Sequence, residues 1–256
     1  DSSEGSASGA VYVYDMAGNY QNKITPAVRD NGSRFGSRIA SANGKVVIGA
    51  FLEDVDGMNN AGAVYVFDVD GTNEVKITAS DKSPASQFGS AVAISSTKVL
   101  VGANDANSAY IYDIDGTNEV KVSPSDVGGS DAFGSEVALS DNKFMVSSIN
   151  DDDAASNAGA VYIYDLDGTN EVKLTASDPV VSSQFGRALG FGVSGSSASS
   201  GSGGATPVDW SPLTISNNVF HSIYSLTDTA PELLTNPSFD TDSDWFKTWT
   251  GQGYPD

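Results

Sequence analysis

Residues 62–81 read GAVYVFDVDGTNEVKITASD, and the phrase returns twice: SAYIYDIDGTNEVKVSPSD over 108–126 and GAVYIYDLDGTNEVKLTASD over 159–178. Successive residues of AVYVF point to opposite faces of a strand, yet both sets are apolar. A sheet covered on one side alternates apolar with polar, so this one has to be covered on both. The Asp-Gly that follows is hairpin chemistry, because glycine accepts the positive φ a tight turn requires. Each phrase therefore encodes two strands and a turn, in a sheet packed between other sheets.

The neighbouring sequence keeps the same period. Phe-Gly occurs at Phe35, Phe88, Phe133 and Phe185, at intervals of 53, 45 and 52 residues. The aspartate closing each Tyr/Phe-Asp pair, at Asp15, Asp68, Asp113 and Asp165, repeats those intervals. Two landmarks with one period define an internal repeat. Each unit carries four short apolar runs: FGSAVAIS from Phe88, KVLVGA from Lys98, GAVYVFD from Gly62 and EVKITAS from Glu74. All are rich in Val, Ile, Tyr and Phe and bounded by turn residues, as strands are. No segment shows a helical period.

Small four-stranded sheets stacked face to face are the blades of a propeller. The expected fold is all-β, a β-propeller of four-stranded blades. The chain opens with the third and fourth strands of one blade (GAVYVYD, NKIT) and reaches Phe185 with the first strand of another. Joining those ends predicts about four blades with one strand missing, which VFHSIYSL from Val219 would supply. Part of a larger propeller, or a ring completed by another copy, are the alternatives. Residues 1–193 form the propeller in this reading. A Gly/Ser-rich linker or loop, 194–206, and an irregular or β C-terminal extension, 207–256, follow.

The ordered set FGSxVAxS, KVxVGA, an Asp/Asn-rich loop, GAVYVYD and an EVKLTASD-like strand resembles the FG-GAP repeat over roughly residues 10 to 193. That repeat builds the propeller of integrin α subunits and of many bacterial and phage surface proteins. The resemblance implies a propeller with an adhesive or structural role and does not imply a catalytic activity. Integrin propellers have seven blades, so four would depart from that family. LLTNPSFDTDSDW, from Leu233, resembles the opening strand of jelly-roll modules in phage tail-fibre and bacterial surface proteins.

Composition narrows the partners. Thirty-three acidic against thirteen basic residues give a formal charge of -20, which repels nucleic acid and anionic membrane. There is no cysteine, so disulfide and thiolate chemistry are excluded. No apolar run approaches the roughly 18 to 20 residues of a membrane span. The chain opens at Asp1 without a signal-like segment, as a processed or partial product would. An extracellular, cell-surface or virion location follows from this acidity and the resemblance. The expected partners are a glycan or cell-surface protein, other subunits of an appendage, or further copies of the chain.

Acidic residues supply the metal candidates, since Ca2+ takes hard oxygen ligands. Asp68 and Asp70, Asp113 and Asp115, and Asp165 and Asp167 sit in the DxDG turns, where a plain turn is the first reading. The first copy, DMAGNYQ from Asp15, lacks the second aspartate. Glu53, Asp54, Asp56 and Asn59, and Asp151, Asp152 and Asp153, occupy the loop between second and third strands, as a calcium shell or a solvated acidic loop. Catalysis finds little support: His221 is the single histidine, with no recognisable partner. The carboxylates recur with the repeat, whereas active sites are built from residues that occur once. Arg29, Arg34, Arg38 and Arg187 are the whole arginine complement, able to anchor an acidic or sulfated glycan or to neutralise nearby acids. The expected function is a non-enzymatic structural or adhesive module of a fibre-like appendage. A Ca2+-dependent carbohydrate- or receptor-binding domain is the alternative, and a glycoside-active propeller a more distant one.

Overall fold

The computed structural model describes residues 8–126, 128, 131–191 and 213–216. Three four-stranded antiparallel meanders follow one another. The first is β3 (Arg38–Ala42), β4 (Lys45–Ala50), β5 (Ala63–Asp68) and β6 (Val75–Ile77). The second is β7 (Ala91–Ile94), β8 (Lys98–Ala103), β9 (Ser108–Asp113) and β10 (Val120–Val122). The third is β11 (Phe133–Leu139), β12 (Lys143–Ser148), β13 (Ala160–Asp165) and β14 (Val172–Thr175). Two-stranded sheets flank them: β1 (Val11–Tyr14) with β2 (Tyr20–Ile24), and β15 (Ala188–Phe191) with β16 (Leu213–Ser216). The first strands β3, β7, β11 and β15 contact one another in series, as the inner strands of a propeller do.

Both-face burial is what holds this arrangement. In β5, Ala63, Tyr65 and Phe67 enter one core with Val11, Ile24, Phe35, Val46 and Ile48. The alternate residues Val64 and Val66 enter the next core with Phe88, Val99, Val101, Tyr110 and Tyr112. A third core sets Leu100 and Ile111 against Phe133, Phe144 and Tyr162, and a fourth sets Met145 and Val161 against Leu189 and Phe191. Strands this short make marginal sheets alone. Each fully buried large side chain contributes about 1.5–3 kcal/mol, so the packing between blades supplies the cohesion.

Phe-Gly is the hinge of that packing. Each Phe ring stands edge-on to a third-strand tyrosine of its own blade: Phe35 on Tyr65 at 5.4 Å, Phe88 on Tyr110 at 5.3 Å, Phe133 on Tyr162 at 5.4 Å. The glycine after it has φ between +91° at Gly36 and +97° at Gly134. A Cβ on Gly134 would lie 2.5 Å from the Ser108 carbonyl oxygen of the preceding blade. The reciprocal glycine is the one opening GAVYVFD. A Cβ on Gly62 would lie 2.1 Å from the Phe88 carbonyl oxygen of the following blade. Backbone bonds close the seam, with Phe88 N donating to Ala61 O at 3.0 Å and Phe185 N to Ala158 O at 2.7 Å. In the second unit Asn107 stands in the glycine's place, and its Oδ1 accepts the Phe133 N–H at 3.1 Å.

The same contacts position the half-sheets. Gly9 bridges Phe35, so β1 and β2 take the third- and fourth-strand places ahead of the first complete blade. Gly186 approaches Val161, so β15 takes the first-strand place after the third. The strand paired with β15 is Leu213–Ser216, where β-branched Thr214 and Ile215 lie just after Pro212 in the sequence. The expected VFHSIYSL strand from Val219 lies outside the described residues, as do the linker and the rest of the 207–256 extension with its jelly-roll resemblance. No ladder joins β16 to β1. Tyr12, in the place of Tyr65, is accordingly 50% exposed where Tyr65 is 1% exposed.

Candidate functional site

The recurrent acidic phrase is a turn and a set of staples between blades. Gly71 N donates to Asp68 O at 2.8 Å and Asp68 N to Thr72 O at 2.9 Å, a three-residue hairpin loop with Gly71 at φ +86°. Asp70 caps it, accepting from Thr72 N at 3.0 Å and Thr72 Oγ1 at 2.7 Å. Asp68 accepts from Asn73 Nδ2 and pairs with Lys45 at 2.6 Å. Asp113, Asp115, Asp165 and Asp167 repeat these roles with Lys98, Thr117, Lys143 and Thr169. Those hydrogen bonds hold all six carboxyls below the usual aspartate range. The Asp15 copy keeps the hairpin, with Gly18 N on Asp15 O at 2.9 Å, despite lacking the second aspartate.

The glutamate and lysine that follow reach backward across the seam. Glu119 accepts from Ser80 N at 3.0 Å and Ser80 Oγ at 2.6 Å on the preceding blade, and Glu171 takes Ser125 Oγ at 2.6 Å. Both also accept a tyrosine hydroxyl: Tyr112 at 2.8 Å and Tyr164 at 2.9 Å. Lys121 reaches Asp81 and Lys173 reaches Asp126, again one blade back. The motif spelling thus records contacts between consecutive units. Sequence reasoning missed these roles because both partners belong to the repeat and neither stands out.

The second-to-third-strand loops behave similarly. Glu53 is buried, accepts from Tyr65 Oη at 2.8 Å and pairs with Lys76 at 2.5 Å. Asp54, Asp56 and Asn59 are exposed; Asp54 accepts from Asn60 N at 2.8 Å and Asp56 pairs with Lys82 at 3.1 Å. Asp151 is buried against Tyr162 Oη at 2.9 Å and Lys173 at 2.8 Å. Asp152 caps Asn157 N and Asp153 binds Lys173. Burial, joined by these carboxylates, drives the Tyr65 and Tyr162 hydroxyls far above their ordinary pKa. Among the described residues no three acidic or histidine side chains are grouped so as to hold a metal ion. These donor sets, already occupied by lysine, tyrosine and backbone N–H, do not fit Ca2+ as they stand. Millimolar Ca2+ is expected to leave the melting temperature where millimolar Mg2+ leaves it; a calcium-specific rise of several degrees in a thermal scan would contradict this.

A different constellation lies on the axis. A cavity of about 400 Å³ is lined by Arg38, Gln87, Ser90, Asn104, Ser135, Glu136 and Arg187, with Phe51 and Ile149 as its apolar walls. These residues come from the starts of the inner strands and the ends of the second strands. Arg38 is held by Nε on Ser90 O at 2.8 Å and Nη1 on Ser37 O at 3.2 Å. Burial raises the Glu136 pKa, opposed by the charges of Arg38 and Arg187. Asn104 Oδ1 is buried there with no hydrogen-bond partner. His221 lies outside the described residues.

A family model for the FG-GAP repeat matches three times, over residues 19–67, 72–112 and 117–164. Curated proteins give no match. A solved structure described as "Structure of U3-55K" is similar over 68% of this chain and 47% of its own, at 9% identity and a TM-score of 0.49. The chain thus spans about half the length of that protein.

Proposed function

The chain belongs to the FG-GAP repeat family, and from that membership we propose that it is a non-enzymatic structural or adhesive module of a cell-surface or virion appendage. FG-GAP repeats are typical of extracellular proteins, and no helix among the described residues is long and apolar enough to cross a membrane. The observation that carries the reading is the use to which the repeat's acids are put. They bind lysines, tyrosines, hairpin N–H groups and the preceding blade, which is the chemistry of a stiff scaffold. A stiff ring presents its rim loops in fixed geometry, and a partner that binds them spends little on ordering them. The contact would be made with a glycan, a cell-surface protein or a neighbouring subunit.

The test is retention. Fluorescently labelled protein is expected to bind a glycan array or intact cells saturably, or to self-associate in sedimentation, while hydrolysing none of a panel of chromogenic glycosides. Absence of all three kinds of contact, or turnover of any glycoside, would overturn the proposal.

A further inference from the structure

Three side chains in the axial cavity break the repeat at the positions where its units superpose. Counting from Phe-Gly, the next residue is Ser37, Ser90 or Ser135 in the first three units and Arg187 in the fourth. One place further on, the residues are Arg38, Ala91, Glu136 and Ala188. Alanine and serine satisfy the fold there: Ser90 Oγ donates to Gly102 O at 3.2 Å, closing its own inner hairpin. These three depart from the residues that the repeat carries there, and they converge on one cavity.

The charges are anomalous as well. In a chain of net charge -20, the lysines of the complete blades all find carboxylates. Among the described residues Arg38 and Arg187 form no ion pair, although acids abound. They face a space that also presents acceptors: the Glu136 carboxylate, the unpartnered Asn104 Oδ1, and Gln87, whose Nε2 is occupied by Asp105 at 2.5 Å. Two guanidinium forks call for an anion, best a carboxylate held bidentately. The acceptors opposite call for hydroxyl donors on the same molecule, and Phe51 and Ile149 offer apolar surface for its C–H face.

We propose that the axial cavity bounded by Arg38, Glu136 and Arg187 binds an acidic sugar, its carboxylate on the arginines and its hydroxyls on Glu136, Asn104 and Gln87. A simple carboxylate such as acetate would satisfy the arginines and leave the acceptors unpaired, so an acid that also carries hydroxyl groups is the better match. This deepens the adhesive reading and rests on it, by naming a ligand class and a place.

D-Glucuronate, D-glucose and acetate are titrated separately into the whole chain and followed by ligand-observed NMR. Glucuronate is expected to bind at least tenfold more tightly than either control. Arg187→Ser and Arg38→Ala, which install the residues other units carry, each weaken it tenfold or more. Glu136→Ala removes the preference over acetate. Should Arg187→Ser lose its folded circular dichroism, Arg187→Lys takes its place and still costs several-fold, because the fork is lost. Equal binding of acetate and glucuronate, or glucuronate affinity untouched by the arginine variants, overturns the proposal. Array or cell retention that survives alongside failed glucuronate binding leaves the adhesive reading standing; glucuronate binding without retention leaves the cavity and removes that reading.

Discussion

Gly62→Ala is expected to destabilise the protein severely, although it adds a single methyl group. At φ +86° a side chain already costs about 1–2 kcal/mol. The added Cβ would lie 2.1 Å from Phe88 O and 2.6 Å from Phe88 N, both backbone atoms fixed by the seam. Relief requires the two blades to part, which opens the core holding Val64, Val66, Phe88, Val99 and Tyr110. The combined loss is roughly 3 kcal/mol or more, a large share of a small domain's stability. Gly57→Ala is the control: φ is +80° there, but nothing lies within 4 Å of the added atom. It should cost about 1 kcal/mol, the backbone strain alone. Urea midpoints of the two variants decide the matter. Equal midpoints would mean that the close approach at Phe-Gly is not what joins the blades.

That seam explains how far the sequence could be read. The period, the four strands per unit and the need to cover both faces were legible because apolar alternation and turn residues are local signals. AVYVF states its own burial: Val64 and Tyr65 point opposite ways and are 0% and 1% exposed. The three-residue turn was legible in Asp-Gly for the same reason. Partnerships between units were not. Glu119 meets Ser80 and Lys121 meets Asp81 because blade stacking brings them together, and nothing in their spacing announces it. The partners of the acidic loop were equally hidden, since Asp151 and Asp153 both meet Lys173, a residue of the fourth strand. Asp151 turns inward to Tyr162 while Asp152 and Asp153 stay exposed. The axial cluster carried a signal that went unused. Aligning the units on Phe-Gly shows Arg38, Glu136 and Arg187 as the departures, and only the folded geometry shows that they share a cavity.

Lys173→Met should be nearly as damaging as the glycine change, for an electrostatic reason. The ammonium lies 2.7 Å from Asp126, 2.8 Å from Asp151 and 2.6 Å from Asp153, and over the Tyr162 ring at 5.3 Å. Burial disfavours its charge, but the three carboxylates reverse that and hold it firmly protonated. Methionine keeps the apolar stem and removes the charge, which leaves the Asp151 side chain, 3% exposed, without a cation. An uncompensated buried carboxylate costs about 3–5 kcal/mol. Lys45→Met also breaks a pair, with Asp68 at 2.6 Å, but its partners are 32% and 28% exposed and the expected loss is below about 1 kcal/mol. The double variant Lys173→Met/Asp151→Asn separates the causes. If the stranded charge dominates, the second change recovers part of the loss, because a neutral amide beside Tyr162 Oη is cheaper to bury than a lone carboxylate. If the two losses simply add in urea denaturation, Lys173 contributes through its packing, and the buried ion pair with Asp151 is not what ties the fourth strand of the third blade to the loop between its second and third strands.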